Sequence, residues 1–195
     1  MARSSVDRSS EFAHHDLVSE SQDVPDYLRP GLKLVIVGIN PGVRSGSTGH
    51  HYAWPGNHFW PLMYQSGLIP EPITFADDKR VLEWDIGLTN LVSRTSRQAS
   101  DLNKDELAEG AITLRAKLLE LRPAIACFNG KGIYESFVNR KNVPLGLQEE
   151  TLEGIRMFVM PSSSARTAAY QKDAKLRYYQ ELKQLVDQIA IESKV

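Results

Sequence analysis

Leu34-Val-Ile-Val-Gly-Ile-Asn-Pro-Gly42 joins an apolar run to an abrupt stop. Leu34 to Val37 show no polar alternation, the pattern of a strand covered on both faces of a sheet, so this strand belongs near the centre. Pro41 lacks an amide donor and Gly42 opens backbone angles closed to other residues, so the chain turns just past Asn40. In open parallel sheets ligands bind beyond the carboxyl ends of the strands, which places the Asn40 amide at that edge. On spacing alone Asn40 either caps the turn or serves a site, and the residues leave both open.

Three further stretches end the same way. Ile86-Gly-Leu-Thr-Asn-Leu-Val92 runs into the hydroxyl-rich loop Ser93 to Ser100. Ala124-Ile-Ala-Cys-Phe128 turns at Asn129-Gly-Lys131, and Met157-Phe-Val-Met160 runs into Pro161-Ser-Ser-Ser-Ala-Arg166. Between them lie helical patterns. Pro61 suits the first turn of a helix over His58 to Tyr64, with Trp60 and Met63 in the core. Asn103 with Glu106 opens a helix whose Leu107, Ala111, Leu114, Leu118 and Leu121 recur at helical spacing until Pro123. A third helix begins near Gly132, and a last one from about Gln171 carries Tyr178, Leu182, Leu185 and Ile189 on one face. Residues 43–57 read as a long irregular loop. Strands separated by helices predict a three-layer α/β/α domain on a central, mostly parallel four-stranded sheet. If the strands are parallel, their four polar loops share one edge.

The totals set bounds. A chain of 195 residues with 42% hydrophobic content suits one domain over 29–195, preceded by a disordered acidic and polar tail over 1–28. No run of about 18 apolar residues is present, so the expectation is a soluble intracellular protein without a membrane partner. The lone Cys127 rules out an intramolecular disulfide and reads as a buried strand residue. His14 and His15 read as solvated tail residues, and neither a metal nor a cofactor is expected. Residues 1–30 hold three basic and six acidic side chains, so with an overall charge of -1 the remainder stands at +2. Arg156, Arg166, Lys172, Lys175 and Arg177 face only Asp173 over 156–179, a run suited to phosphates or to a solvated helix face.

The shared edge therefore offers amides, hydroxyls, a histidine pair, an aromatic and a few cations. It has no paired carboxylates for a glycosidase of the two-acid kind and no ligand set for zinc. Ser162 to Ser164 lack a Gly-x-Ser-x-Gly elbow, and Asn129-Gly-Lys131 lacks the spacing of a P-loop. A glycine turn opening a helix can still present backbone amides to an anion, with Lys131 as a point charge. Gly38-Ile-Asn-Pro-Gly42 has proline where a dinucleotide loop needs close backbone approach, which argues against that fold family. An amide edge can hold a water and hydrogen-bond a planar base.

Gly38-Ile-Asn-Pro-Gly42, Gly49-His-His-Tyr52, Gly56-Asn-His-Phe-Trp60, Phe128-Asn-Gly-Lys131 and Met160-Pro-Ser-Ser-Ser-Ala-Arg166 occur in this order. Together they resemble thymine-DNA glycosylases, the mismatch-specific branch of the uracil-DNA glycosylase superfamily, over residues 30–190. The serine-rich final motif is similar to the eukaryotic type. The resemblance implies a monofunctional hydrolase that removes uracil or thymine opposite guanine in double-stranded DNA, works as a monomer in the nucleus and hands abasic sites to downstream repair enzymes.

By the same resemblance Asn40 holds the attacking water and Ser96, where the family usually has threonine, shares it. Ile39, Ser45, His51, Tyr52 and Asn90 form the base pocket. Ser45 stands where the vertebrate enzyme has alanine, a departure that bears on the choice between thymine and uracil. Asn129, Gly130 and Lys131 grip phosphate, and Ser162, Ser163, Ser164, Ala165 and Arg166 form the wedge facing the orphan guanine. A neutral amide is a poor base, so the reaction depends on an electron-poor leaving group and on charge stabilisation around it. The alternative is a mismatch-binding scaffold on the same fold with little turnover, which has no need of a water-holding amide.

Overall fold

The computed structural model describes residues 24–166 and 171–192. Among the described residues five strands form one sheet: β1 Leu34–Gly38, β2 Ile86–Asn90, β3 Ile125–Asn129, β4 Gly146–Leu152 and β5 Ile155–Met160. They are ordered β2-β1-β3-β5-β4, with β1, β2, β3 and β5 mutually parallel and β4 antiparallel at the edge. The four parallel strands are those expected from their apolar runs, and β1 lies inside the sheet between β2 and β3, the central strand being β3. The expected count of four omits β4. Its Glu149, Glu150 and Thr151 are successively exposed and its pairing with β5 shifts register between Leu147 and Thr151, which erases the period of two that marks a half-buried strand.

Strand side chains alternate between two apolar layers. Leu34, Ile36, Ile125 and Cys127 face one layer, with Phe59, Trp60, Tyr179 and Leu182. Val35, Val37, Ala126 and Phe128 face the other, with Leu114, Leu118, Ile133 and Phe137. Both layers come from helices: α2 Phe59–Gln65 and α5 Lys172–Glu192 on the first side, α3 Lys104–Leu121 and α4 Lys131–Val138 on the second. A continuous apolar run such as Leu34 to Val37 is the direct consequence of burial on both faces. Helix α3 starts at the expected capping box, with Asn103 accepting from the Glu106 amide and the Glu106 carboxylate accepting from the Asn103 amide. On α5, Tyr179 is the fully buried tyrosine and Tyr178 packs only partly against the core.

Two boundaries differ from expectation. Residues 43–57 are not wholly irregular, because Val43–Thr48 forms a short helix, α1, closed by Gly49 at φ +72°. Val-Arg-Ser-Gly-Ser-Thr is a poor helix former. What holds it is contact: a Cβ on Gly46 would sit 2.3 Å from Thr95 Oγ1, so the glycine lets α1 rest directly on the loop after β2. Packing also begins before residue 29. Tyr27 is buried and exchanges backbone hydrogen bonds with Leu88, 2.9 and 3.0 Å, at the outer edge of β2. The rest of the expected tail, residues 1–23 with His14 and His15, lies outside the described residues.

Candidate active site

The carboxyl ends of β1, β2, β3 and β5 open onto one cleft of about 970 Å³. Ile39, Asn40 and Ser45 line it from the first crossover and His51 and Tyr52 from the chain that follows. Asn90 and Asn129 line it from the ends of β2 and β3, and Ser162, Ser163, Ser164 and Arg166 from the loop after β5. Gly130, Lys131, Ser96 and Ala165 are not part of that lining. Arg44, Arg97 and Arg166 stand around it with Asp101 as the lining carboxylate, which favours an anionic ligand.

Asn40 is held by its amide nitrogen. Nδ2 donates to the Arg94 carbonyl at 2.9 Å, to Ser96 Oγ at 2.8 Å and to the Pro41 carbonyl at 3.2 Å. Two of these partners are carbonyls and can only accept, so the amide cannot be flipped, and Oδ1 is the atom left to accept. Ser96 Oγ donates its own proton to the Gln98 carbonyl at 2.7 Å. With its proton directed there and a lone pair on Asn40, Ser96 orients the amide from behind; a hydroxyl so engaged has no proton to give a water. The supporting loop is tied to the start of α3, where Arg94 pairs with Glu106 and donates to the Asp101 carbonyl at 3.1 Å. That guanidinium holds the Glu106 carboxyl below its usual range.

The side wall is a histidine–tyrosine corner. His51 is buried, its Nε2 donates to the Pro25 carbonyl at 2.8 Å, and its backbone amide donates to Asp78 Oδ2 at 2.7 Å. Burial pushes its pKa down from 6.5, against the opposing pull of Pro25 and Asp78, so the ring is neutral. Tyr52 follows in the left-handed region, φ +53°, and its ring stacks on Phe59 at 3.7 Å and 16°. Across from it, a Cβ on Gly38 would lie 2.4 Å from Asn90 Oδ1 and 3.2 Å from the Tyr52 hydroxyl. Glycine at 38 is therefore what lets Asn90 and Tyr52 approach the end of β1. Ser45, nearly buried, accepts from the Ala53 amide at 3.2 Å and so ties α1 to this corner.

The neutral His51 has a pH consequence. Below 6.5 an unfolded chain takes a proton that the folded ring refuses, so this contribution to stability is expected to be level above pH 6.5 and to fall as the pH drops below it. His58, lowered by burial and then by Lys175 and Lys172, acts in the same direction. Urea unfolding across this range should give a shallower slope for His51→Gln than for the wild type; equal slopes would mean that His51 titrates normally.

The far wall departs from its expected use. Asn129 is buried, donates from Nδ2 to Ser163 Oγ at 2.9 Å and accepts from the Ser163 amide at 3.1 Å. Both ends of its side chain thus brace the loop after β5, and it does not reach outward as a phosphate grip would. Ser163 is equally buried, and its carbonyl accepts from the His58 amide at 3.1 Å, so it is an anchor and not a wedge. The next carbonyl, Ser164, accepts from Lys175 Nζ at 2.8 Å. Among the described residues of this loop Ala165 and Arg166 project from the clamp, and Gly130 and Lys131 open α4 beside it, Lys131 exposed. The basic run over 156–179 is not one surface, since Arg156 pairs with Glu192 and Lys175 is buried with its pKa lowered by that burial.

Sequence reasoning missed two residues here. Asp78 is buried in a 3-10 helix, Phe75–Trp84, and takes Tyr27 Oη, His50 Nδ1 and the His51 amide together. Lys175 reads as one more charge on an amphipathic helix. Neither carries a local signal, because their partners lie at least eleven residues away.

The model of the uracil DNA glycosylase superfamily matches residues 25–184 of the chain. A G/U mismatch-specific uracil DNA glycosylase from Schizosaccharomyces pombe is 37% identical over 164 residues, covering 79% of this chain and 50% of that protein. The chain thus spans about half the length of that curated relative. A solution NMR structure of a candidate uracil DNA glycosylase from Methanosarcina acetivorans superposes with a TM-score of 0.56 at 22% identity, covering 84% of this chain and 98% of that one. That likeness is one of fold.

Proposed function

The chain belongs to the uracil DNA glycosylase superfamily, and from that membership we propose that it is a mismatch-directed DNA glycosylase. It hydrolyses the N-glycosidic bond of uracil or thymine mispaired with guanine in duplex DNA. The observation that carries this reading is Asn40, whose amide nitrogen is tied to three acceptors at the cleft floor while Oδ1 remains to accept from a water.

The target nucleotide flips out of the duplex into the cleft, at a cost of a few kcal/mol that is smaller for a mispaired base. Tyr52 and the neutral His51 wall the base, and the Asn90 amide meets its polar edge. The C1′–N1 bond breaks with its electrons leaving on the base, water held by Asn40 then bonds to the electron-poor C1′, and the water's proton passes to solvent. A neutral amide removes no proton itself, so departure of the base leads and water capture follows. Arg166 enters the space left in the duplex, and the Gly130–Lys131 turn meets a flanking phosphate. We take it to act as a monomer, a reading that fits the named groups all lying on one chain. Its product is an abasic site, which enzymes that process such sites take next. The nucleus is its proposed setting, on the likeness of its serine-rich motif to the eukaryotic type.

Single-turnover release of free base from duplexes holding G·U, G·T or A·U tests the reading. Release is expected from G·U and G·T ahead of A·U. Binding to the mismatched duplexes with no release from any of them would overturn the enzyme and favour a mismatch-binding protein.

A further inference from the structure

Trp54 stands at the rim of the cleft with 55% of its surface exposed. A single exposed apolar side chain is ordinary on a folded surface, but an indole set in the lining of the cleft among cations is placed to meet what binds there. Nor is this ring loosely placed. A turn closed by Asn57 donating its amide to the Trp54 carbonyl, 2.8 Å, carries it, and the ring lies over Gly56, where a Cβ would come within 3.0 Å of Nε1. The Arg166 guanidinium lies over the same ring at 5.7 Å. Arg44 and Arg97 continue the positive rim.

We propose that Trp54 is a stacking platform for a nucleobase of the bound DNA, one of the two that lose a neighbour when the target nucleotide flips. This rests on the glycosylase reading. Flipping leaves an adjacent base with an uncovered face, and the positive rim draws the backbone of that strand past the indole. Arg166 covers the ring in the free protein. When it moves into the duplex it vacates the indole, and the flanking base that Arg166 does not cover takes its place. Aromatic rings accept any base face, so this contact adds affinity without adding sequence preference.

Binding of the full chain to a duplex with a tetrahydrofuran abasic analogue opposite guanine tests the exchange. Trp54→Ala is expected to weaken binding roughly tenfold or more, and Trp54→Phe, which keeps an aromatic face, to recover most of the loss. The discriminating comparison is made in an Arg166→Ala background. There Trp54→Ala still weakens binding if the ring meets a base, and adds nothing if it only holds Arg166, which would overturn the proposal. Trp54 emission, taken as wild type minus Trp54→Phe, is expected to be quenched at saturating DNA; unchanged emission would also overturn it. A wild type that binds the duplex while Trp54→Ala binds equally well sinks this inference alone, whereas a wild type that neither binds mismatched DNA nor releases base sinks the glycosylase reading and this inference with it.

Discussion

Asn40→Ala is expected to lower single-turnover base release from a G·U duplex about 10³-fold while leaving affinity for an abasic-analogue duplex nearly unchanged. The substitution removes Oδ1, the acceptor available to a water at the cleft floor, and touches none of the cations at the rim. Because Asn40 is only partly buried and its three partners are acceptors, with the Ser96 hydroxyl still donating to the Gln98 carbonyl, the fold loses little. Ser96→Ala takes away one of the three acceptors and should fall between Asn40→Ala and the wild type. Parallel losses of release and binding in Asn40→Ala would count against a water-positioning role, since they would mean that the amide contributes equally before and during bond cleavage.

Asp78→Ala is expected to cost about 2–4 kcal/mol of unfolding free energy, read from urea denaturation at neutral pH. Its carboxylate is buried and takes donors from three places: Tyr27 Oη at 3.0 Å, the His51 amide at 2.7 Å and His50 Nδ1 at 3.0 Å. Deleting it leaves a buried amide and a phenol without acceptors, which is costlier than losing an exposed ion pair. Asp78→Asn keeps the shape but turns one oxygen into a donor facing donors, so it should recover only part of the loss. The effect reaches function because the same carboxylate fixes the backbone at His51, and Tyr52 follows in a left-handed conformation that its neighbours must enforce. At temperatures where Asp78→Asn remains folded, base release should still be slower than in the wild type. Stability within about 0.5 kcal/mol of wild type for Asp78→Ala would show that water replaces the carboxylate.

What sequence reveals about this protein is set by the range of the physical signal. Burial on both faces writes itself into consecutive residues, so Leu34 to Val37 and Ala124 to Phe128 are legible as central strands. A capping box acts over three residues, so the start of α3 at Asn103 is legible too. Proline and glycine act on their own backbone, so the turn after Asn40 and the gathering of four loop ends at one sheet edge follow from local chemistry and from the handedness of strand–helix–strand units. The five motifs carried the family for the same reason.

The work each side chain performs at that edge was decided by contacts between distant residues. Asn40 meets Ser96 across 56 positions, His51 meets Asp78 across 27, and Asn129 meets Ser163 across 34. Nothing within a few residues of Asp78 distinguishes it from its exposed neighbour Asp77, and only tertiary packing buries one of them under three donors. Likewise Ser163 and Ser164 look alike in sequence, yet one is sealed against Asn129 and the other gives its carbonyl to Lys175. Strand β4 belongs with these, since a register shift against β5 removed its periodicity. The four parallel strands, the helices between and after them and the chemistry available at the sheet edge were thus determined by sequence alone. Which polar groups face the cleft and which brace it was decided by the fold, because a hydrogen bond between loops depends on where packing brings them and not on their spacing along the chain.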